Sequence, residues 1–307
     1  MTVKGQTLQS LLAGSEVSGQ DIADMCSVSR TAVWKAVQAL QAEGYGIEAR
    51  TNGGYRLTGE PEALSEAGIE ARLHDPCPVR VLSDVDSTNA YAKRLLARGT
   101  GRALIAAEHQ SAGRGRMGRD FYSPQGTGLY MTLLLPSGRP MGEAVKITVE
   151  ASVAVCRALE ELCGEQFGIK WVNDIYYGGK KVCGILTEAV GDLESGVTTH
   201  LVLGVGVNVR PAPVPEALKD IVGWLPRPVD RNALAAGIAN QLSRAAGSMD
   251  YYRSRSLALG KKVRFLENGL WQEGFAREID DTGALMVETE DGAVKALKSG
   301  EISLRLA

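Results

Sequence analysis

The chain has 307 residues, 44% of them hydrophobic and 23% charged, with a net charge of −2. This composition describes an ordinary globular protein long enough for two or three domains. It excludes a disordered or globally basic chain, so any polyanion must be met by a local patch. There is no apolar run of signal-peptide or transmembrane length, and five cysteines and three histidines are scattered without a CxxC pair, which points to the cytoplasm and speaks against disulfides and structural zinc.

The first 60 residues read as a winged helix-turn-helix. "SGQDIADM" opens with a capping-box pattern, Ser18 with Asp21, and places Ile22 and Met25 on one face. After the break "CSV", Ser29 caps a second helix whose Val33, Ala36, Val37 and Leu40 fall at the i, i+3, i+4, i+7 spacing of a buried face. "YGIEARTNGGYRL" then gives two short strands around Asn52-Gly53, the signature of a wing. On the outward face of the second helix stand Arg30, Thr31, Trp34, Lys35 and Gln38, side chains able to reach phosphates and base edges in a major groove. The domain holds five Lys/Arg against six Asp/Glu, so sequence-independent affinity for DNA should be weak.

Residues 61–80 hold a short helix and a Pro-rich passage and read as a connector. A strand then leads into Ser87, Thr88 and Asn89, which cap the next helix. "ALIAAEHQ" is a buried strand delivering Gln110 into "SAGRGRMGRDFYSP", where Arg114, Arg116 and Arg119 alternate with glycines. "GLYMTLLLP" is another strand, followed by the long helix of "EAVKITVEASVAVCRALEEL" and three strand-like runs, "IKWVNDIYY", "KKVCGILTEAV" and "THLVLGVGVNV". Strands outnumber helices, so the central block, 81–259, is α+β with a mixed or mostly antiparallel sheet. From residue 260 to 307 only short strands follow, separated by turn signals, as in a small β-barrel.

The Gly/Arg loop carries the chemistry. Glycine lets backbone approach a ligand closely, and guanidinium offers paired planar donors to carboxylate or phosphate. Nucleotide fingerprints are absent: "GGKKVCG" lacks the Walker spacing, and "GVGVNV" has no third glycine and runs into "RPAPVP" instead of a helix.

The ordered set "STN" at 87–89, "QSAGRGRMGRDFYSP" at 110–124, "KWVNDIYY" at 170–177, "KKVCGILTE" at 180–188, "GVGVNV" at 204–209 and the closing "GEISLR" resembles the motifs of biotin protein ligases. The preceding winged helix resembles the bifunctional type that also represses biotin-synthesis genes. Val172 stands where that family usually has proline, and Phe121 where tryptophan is common.

The resemblance implies ATP-dependent formation of biotinyl-adenylate, then transfer of biotin to a lysine of an apo biotin carboxyl carrier protein, with ATP and Mg²⁺ required. Carried over by motif, Ser87, Thr88, Asn89 and Gln110 would hold the biotin ring, while Arg114, Gly115 and Arg116 close over its carboxylate and the phosphate. Lys181 would be the transition-state cation, with Arg116 beside it as the second catalytic group. Arg119 would reach the triphosphate, and Asn173, Asn208, Trp224 and Arg305 the nucleotide, with Asp174 on Mg²⁺. Operator DNA and a ligand-promoted homodimer complete the implied partners, and no membrane is expected. Two rivals stand beside this reading, a lipoate or octanoate transferase and a transcription regulator with an inactive ligase domain.

Overall fold

A computed structural model describes the chain except for residues 15, 51, 52, 193, 268, 269, 299–304 and 307. Asn52 of the expected wing turn, Asn268 and Gly269 of the turn signal Glu267-Asn268-Gly269 between the C-terminal strands, and most of the closing "GEISLR" lie outside the described residues.

Helices α1 (Val3–Leu12), α2 (Gly19–Cys26) and α3 (Arg30–Ala42) precede a hairpin of β1 (Gly46–Arg50) and β2 (Gly54–Gly59). Ser18 accepts from the Asp21 amide and Ser29 from the Ala32 amide, so both helices start at the expected caps. Ser27, in left-handed conformation, ends α2 and turns the chain towards α3. Val33, Ala36, Val37 and Leu40 are the buried residues of α3, and Val33, Val37 and Leu40 pack with Leu8, Leu11 and Ile22 in a separate small core.

The short helix α4 (Glu66–Glu70) is buried, and its sides serve two cores. Ala67 and Ala71 belong to the helix-turn-helix cluster, whereas Ile69 joins Leu64 and Leu73 in the central one. Glu70 accepts from both the amide and the hydroxyl of Thr2, which is itself the N-cap of α1. A carboxylate thus sits at a helix N-terminus, where the dipole favours it. Packing therefore fastens residues 61–80 to both neighbours.

Seven strands form the central sheet in the order β3-β4-β5-β9-β8-β7-β6. They are β3 (Val79–Leu82), β4 (Ala103–Ala107), β5 (Gly128–Pro136), β6 (Gly168–Lys170), β7 (Asp174–Tyr177), β8 (Lys180–Asp192) and β9 (Val197–Asn208). β3 pairs with β4 in parallel and the other pairs are antiparallel, so the sheet is mixed. Helix α5 (Thr88–Ala97) packs with Ala103, Ile105, Leu134 and Val202, and α6 (Ala144–Cys163) contributes nine buried residues, Val149 to Cys163, to the main core. Helices α7 (Arg231–Leu242) and α8 (Met249–Arg255) complete that layer.

The single run read from "IKWVNDIYY" is instead a tight hairpin, with Lys170 opposite Asp174 across β6 and β7. Trp171 at its turn is buried and donates its indole N–H to the Gly283 carbonyl in the C-terminal block. A continuous strand would have left that large ring without this partner. The 171–172 peptide bond, at the position where proline is usual, is cis.

The C-terminal block is a five-stranded antiparallel sheet, β13-β12-β11-β10-β14, made of β10 (Lys262–Glu267), β11 (Leu270–Ile279), β12 (Leu285–Thr289), β13 (Val294–Leu297) and β14 (Arg305–Leu306). Among the described residues no pairing joins β13 to β14. Its Val263, Phe265, Leu285 and Val287 pack into the main core. No described helix is long and apolar enough to cross a membrane.

Candidate active site

One pocket gathers Ser87, Thr88, Asn89, Gln110, Arg114, Gly115, Arg116, Asn173 and Lys181, residues spread over nearly 100 positions of sequence. Its floor is β5, β8 and β9, which contribute Met131, Gly184, Ile185, Leu186, Gly204, Val205 and Gly206, and Phe121 forms one wall. Phe121, Met131, Ile185, Leu186 and Val205 stand in this lining beside the polar groups, a mixture that suits a small ligand with hydrocarbon and polar parts.

At one end the polar groups bond to one another before any ligand arrives. Ser87 occupies the N-cap position of α5, but its side chain makes no capping bond among the described residues. The Thr88 amide instead donates to Oε1 of Gln110 at 2.9 Å, so the cap reaches across from the root of the Gly/Arg loop. The Gln110 amide group then donates to Ser123, fixing which way its side chain faces. Thr132, fully buried in β5, lies 2.8 Å from the Thr88 hydroxyl and 2.6 Å from Oδ1 of Asn89. Asn89 donates to Glu188, which also holds Lys93. Satisfied buried networks of this kind hold their members in one geometry.

Cations gather at the other end. Arg116 donates to Oδ1 of Asn173 at 2.9 Å, and Nζ of Lys181 lies 2.7 Å from Oδ1 of Asp174. Burial pushes the Arg116 guanidinium below its ordinary pKa, Asp174 and Tyr252 oppose that, and Arg119 adds to it. Its Nη2 is buried and, among the described residues, has no hydrogen-bond partner. A part-buried guanidinium with an unused donor can accept a carboxylate or phosphate oxygen as its partner.

The Gly/Arg loop is folded over this end. Gly115 donates to the Arg119 carbonyl and Phe121 to the Gly113 carbonyl, with an isolated bridge between Arg114 and Asp120. Arg119 lies outside the pocket, in a shallow outer depression shared with Met117, Asp120 and Glu188.

Among the described residues, Asn208, Trp224 and Asp174 do not line the pocket. The side-chain amide of Asn208 donates to the Gly223 carbonyl at 3.1 Å and reaches that of Lys181 at 3.5 Å. It thereby ties the segment carrying half-buried Trp224 to the strand carrying Lys181, which Val222 also joins by a bridge. Asp174 is engaged by Lys181. The backbone of Arg305 pairs with Arg264, and its side chain lies outside the described residues.

Residue patterns found Gly115 but missed the pocket's strand glycines, Gly184, Gly204 and Gly206. A Cβ on Gly206 would lie 2.5 Å from the Phe121 ring, and one on Gly184 3.1 Å from the Lys181 side chain. The available signal was alternation: glycines 204 and 206 fall on one face of a strand, which marks something lying close against it. Thr132 gave no such signal, because a threonine in an apolar strand reads as filler.

Comparison with known proteins decides the family. Residues 81–208 match the "Biotin/lipoate A/B protein ligase family", residues 5–56 an "HTH domain" and residues 258–305 the "Biotin protein ligase C terminal domain". The chain is 36% identical to "Bifunctional ligase/repressor BirA" of Bacillus subtilis over 95% of each chain, and 32% identical to the Escherichia coli protein of that name over 98% of this chain and 97% of the other. The solved "Biotin protein ligase from Aquifex aeolicus in complex with biotin and ATP" superposes with a TM-score of 0.63, at 29% identity, over 75% of this chain and 99% of that one. The chain belongs to the biotin protein ligase family.

In this ligase the helix-turn-helix module adds a second surface. Arg30, Thr31, Trp34, Lys35 and Gln38 are all exposed on α3, and Trp34 is 53% accessible despite its size. Arg30, Thr31 and Trp34 border a depression closed on its far side by Arg50 and Tyr55 of the wing. A helix with its wing alongside is the shape that enters a groove.

Proposed function

We propose that this ligase works in the cytoplasm in two steps. A carboxylate oxygen of biotin attacks the α-phosphorus of ATP, the bond to the β-phosphate oxygen breaks, and biotinyl-adenylate and pyrophosphate result. The amine of a lysine on an apo biotin carboxyl carrier protein then attacks the acyl carbon, loses its proton and expels AMP. The main barrier to the first step is the meeting of two anions, and fixed cations in a water-poor site lower it.

The observation that carries this reading is that Lys181 and Arg116, whose Nη2 is buried without a hydrogen-bond partner among the described residues, line one pocket together with apolar side chains. Ser87, Thr88, Asn89 and Gln110 receive the polar ring of biotin at the opposite end. Arg114, Gly115 and Arg116 cover its carboxylate, and Lys181 moves from Asp174 to the charge that develops between carboxylate and α-phosphate. Arg119, on the outer lip, meets the triphosphate. Asn173 orients Arg116 and the nucleotide, Asn208 and Trp224 form the adenine side, and Arg305 approaches from the C-terminal sheet.

Mg²⁺ would accompany the triphosphate and neutralise part of its charge. Among the described residues no three His, Cys, Asp or Glu side chains converge on a metal position. That donor set fits an ion held by phosphates and water with one protein carboxylate, Asp174.

The working units are 1–60, which binds operator DNA and represses biotin-synthesis genes, a connector at 61–80, the ligase block at 81–259 and the C-terminal block at 260–307. Biotinyl-adenylate promotes a homodimer that presents two copies of α3 to an inverted repeat.

Pyrophosphate release tests the enzymatic reading. Release that needs both ATP and biotin supports it. Release with lipoate or octanoate in place of biotin would make the chain an acyltransferase of the related class, and no release with any of them would leave a DNA-binding regulator.

A further inference from the structure

Arg231, the first residue of α7, is 6% exposed and spends its guanidinium on three separate segments. Nη1 donates to Oε2 of Glu108 at 2.7 Å and to the Gly128 carbonyl at 3.1 Å; Nη2 donates to Oε1 of Glu108 at 3.1 Å and to the Glu62 carbonyl at 3.0 Å. Glu108 also accepts the amide of Leu64 at 2.8 Å. In the chain, Glu108 stands two residues before Gln110 and Gly128 opens β5, so these are the two roots of the Gly/Arg loop. Glu62 and Leu64 belong to the segment that leads into α4, which packs on the helix-turn-helix core. Asn232, the next residue of α7, accepts the Ser65 amide and donates to the Ala63 carbonyl, so the same helix start holds this segment twice.

We propose that the Arg231–Glu108 pair is a positioning clasp that sets the Gly/Arg loop over the biotinyl group and transmits the state of that loop to residues 62–65 beside the DNA-binding module. Neither side chain lines the pocket. Their effect therefore passes through the loop roots, and it falls on how long the adenylate is held rather than on the bond-making step. Buried bidentate guanidinium–carboxylate pairs have one good geometry, so a shift of either loop root must displace the connector or break the pair. Because coupling of this kind is reciprocal, ligand that orders the loop also orders residues 62–65.

This inference rests on the ligase reading above, and the experiment keeps the two apart. Wild-type protein is loaded with biotin and ATP, and the release of biotinyl-adenylate is timed against a chase of unlabelled biotin. Glu108→Gln keeps the size of the side chain and removes its charge. It is expected to release the adenylate about ten- to a hundred-fold faster, the range for losing a charge-assisted bond, while the adenylation rate at saturating substrates changes less than about threefold. Hydrogen exchange at 62–65 is expected to slow when the wild type binds biotin and ATP, and to respond little in the variant. Should Glu108→Gln fail to fold, Arg231→Lys carries the same test, since it keeps the charge but loses the fork. If the wild type forms no adenylate, the ligase reading is wrong. If it does, and the folded variant keeps the adenylate as long or protects 62–65 as strongly, the clasp is overturned.

Discussion

Gly204 lacks a side chain because Asn89 occupies the space where one would stand: a Cβ built there would lie 2.3 Å from Oδ1 of Asn89. The two residues are 115 positions apart, one on β9 and the other at the start of α5. The absent methyl therefore decides whether Asn89 can reach Thr132 and Glu188.

Gly204→Ala is accordingly expected to displace Asn89 and break that network. Overpacking a closed site costs about 1–3 kcal/mol, so biotin affinity measured by calorimetry should fall about ten- to a hundred-fold. Binding within a factor of two of wild type would show that Asn89 has no part in the pocket's polar end.

Lys181→Ala removes the cation proposed to stabilise charge during adenylation and leaves Asp174 unpaired. The pyrophosphate-release rate at saturating biotin and ATP should drop by about two to three powers of ten, as for loss of a single electrostatic stabiliser. Unchanged turnover would take Lys181 out of the chemistry.

Arg116→Ala tests the clamp. Its Nη2 is buried without a hydrogen-bond partner among the described residues; with the adenylate as the proposed partner, the variant should shed biotinyl-adenylate faster than the parent by about tenfold or more. An adenylate lifetime equal to that of the parent contradicts this assignment.

Limited trypsin digestion reports on the loop. Arg114 and Arg119 are exposed, and Met117 between them is 59% accessible with positive φ. Cleavage at Arg114, Arg116 or Arg119 should be rapid in free protein and suppressed by biotin plus ATP. Equal rates in both states would mean that the loop does not close on the ligand.

A single copy of α3 reads few base pairs, and the N-terminal 60 residues, with five cations against six anions, gain little from counterion release. Titrating the protein against an inverted-repeat operator while following its mass should show dimerisation and tighter DNA binding together, and only with biotin and ATP. A liganded protein that stays monomeric, or binds random DNA as tightly, would refute the repressor model.

The sequence alone determined whatever depends on neighbours along the chain. Ser18 and Ser29 cap their helices, Val33, Ala36, Val37 and Leu40 face a core, and "GLYMTLLLP" is a strand over its whole length, because caps and periodicities are local properties of backbone geometry. The motif set likewise brought Lys181, Arg116 and the "STN" residues together in anticipation. Tertiary structure decided what depends on contact between distant segments. It bent "IKWVNDIYY" into a hairpin so that Trp171 could meet Gly283, and it replaced the expected cap of α5 by Gln110. It also turned the two glycines of "GVGVNV" from a failed nucleotide fingerprint into seats for Asn89 and Phe121, and it drew Arg231 to the roots of the Gly/Arg loop. Steric exclusion and buried ion pairing act between surfaces that meet only after folding, so no local pattern can carry them.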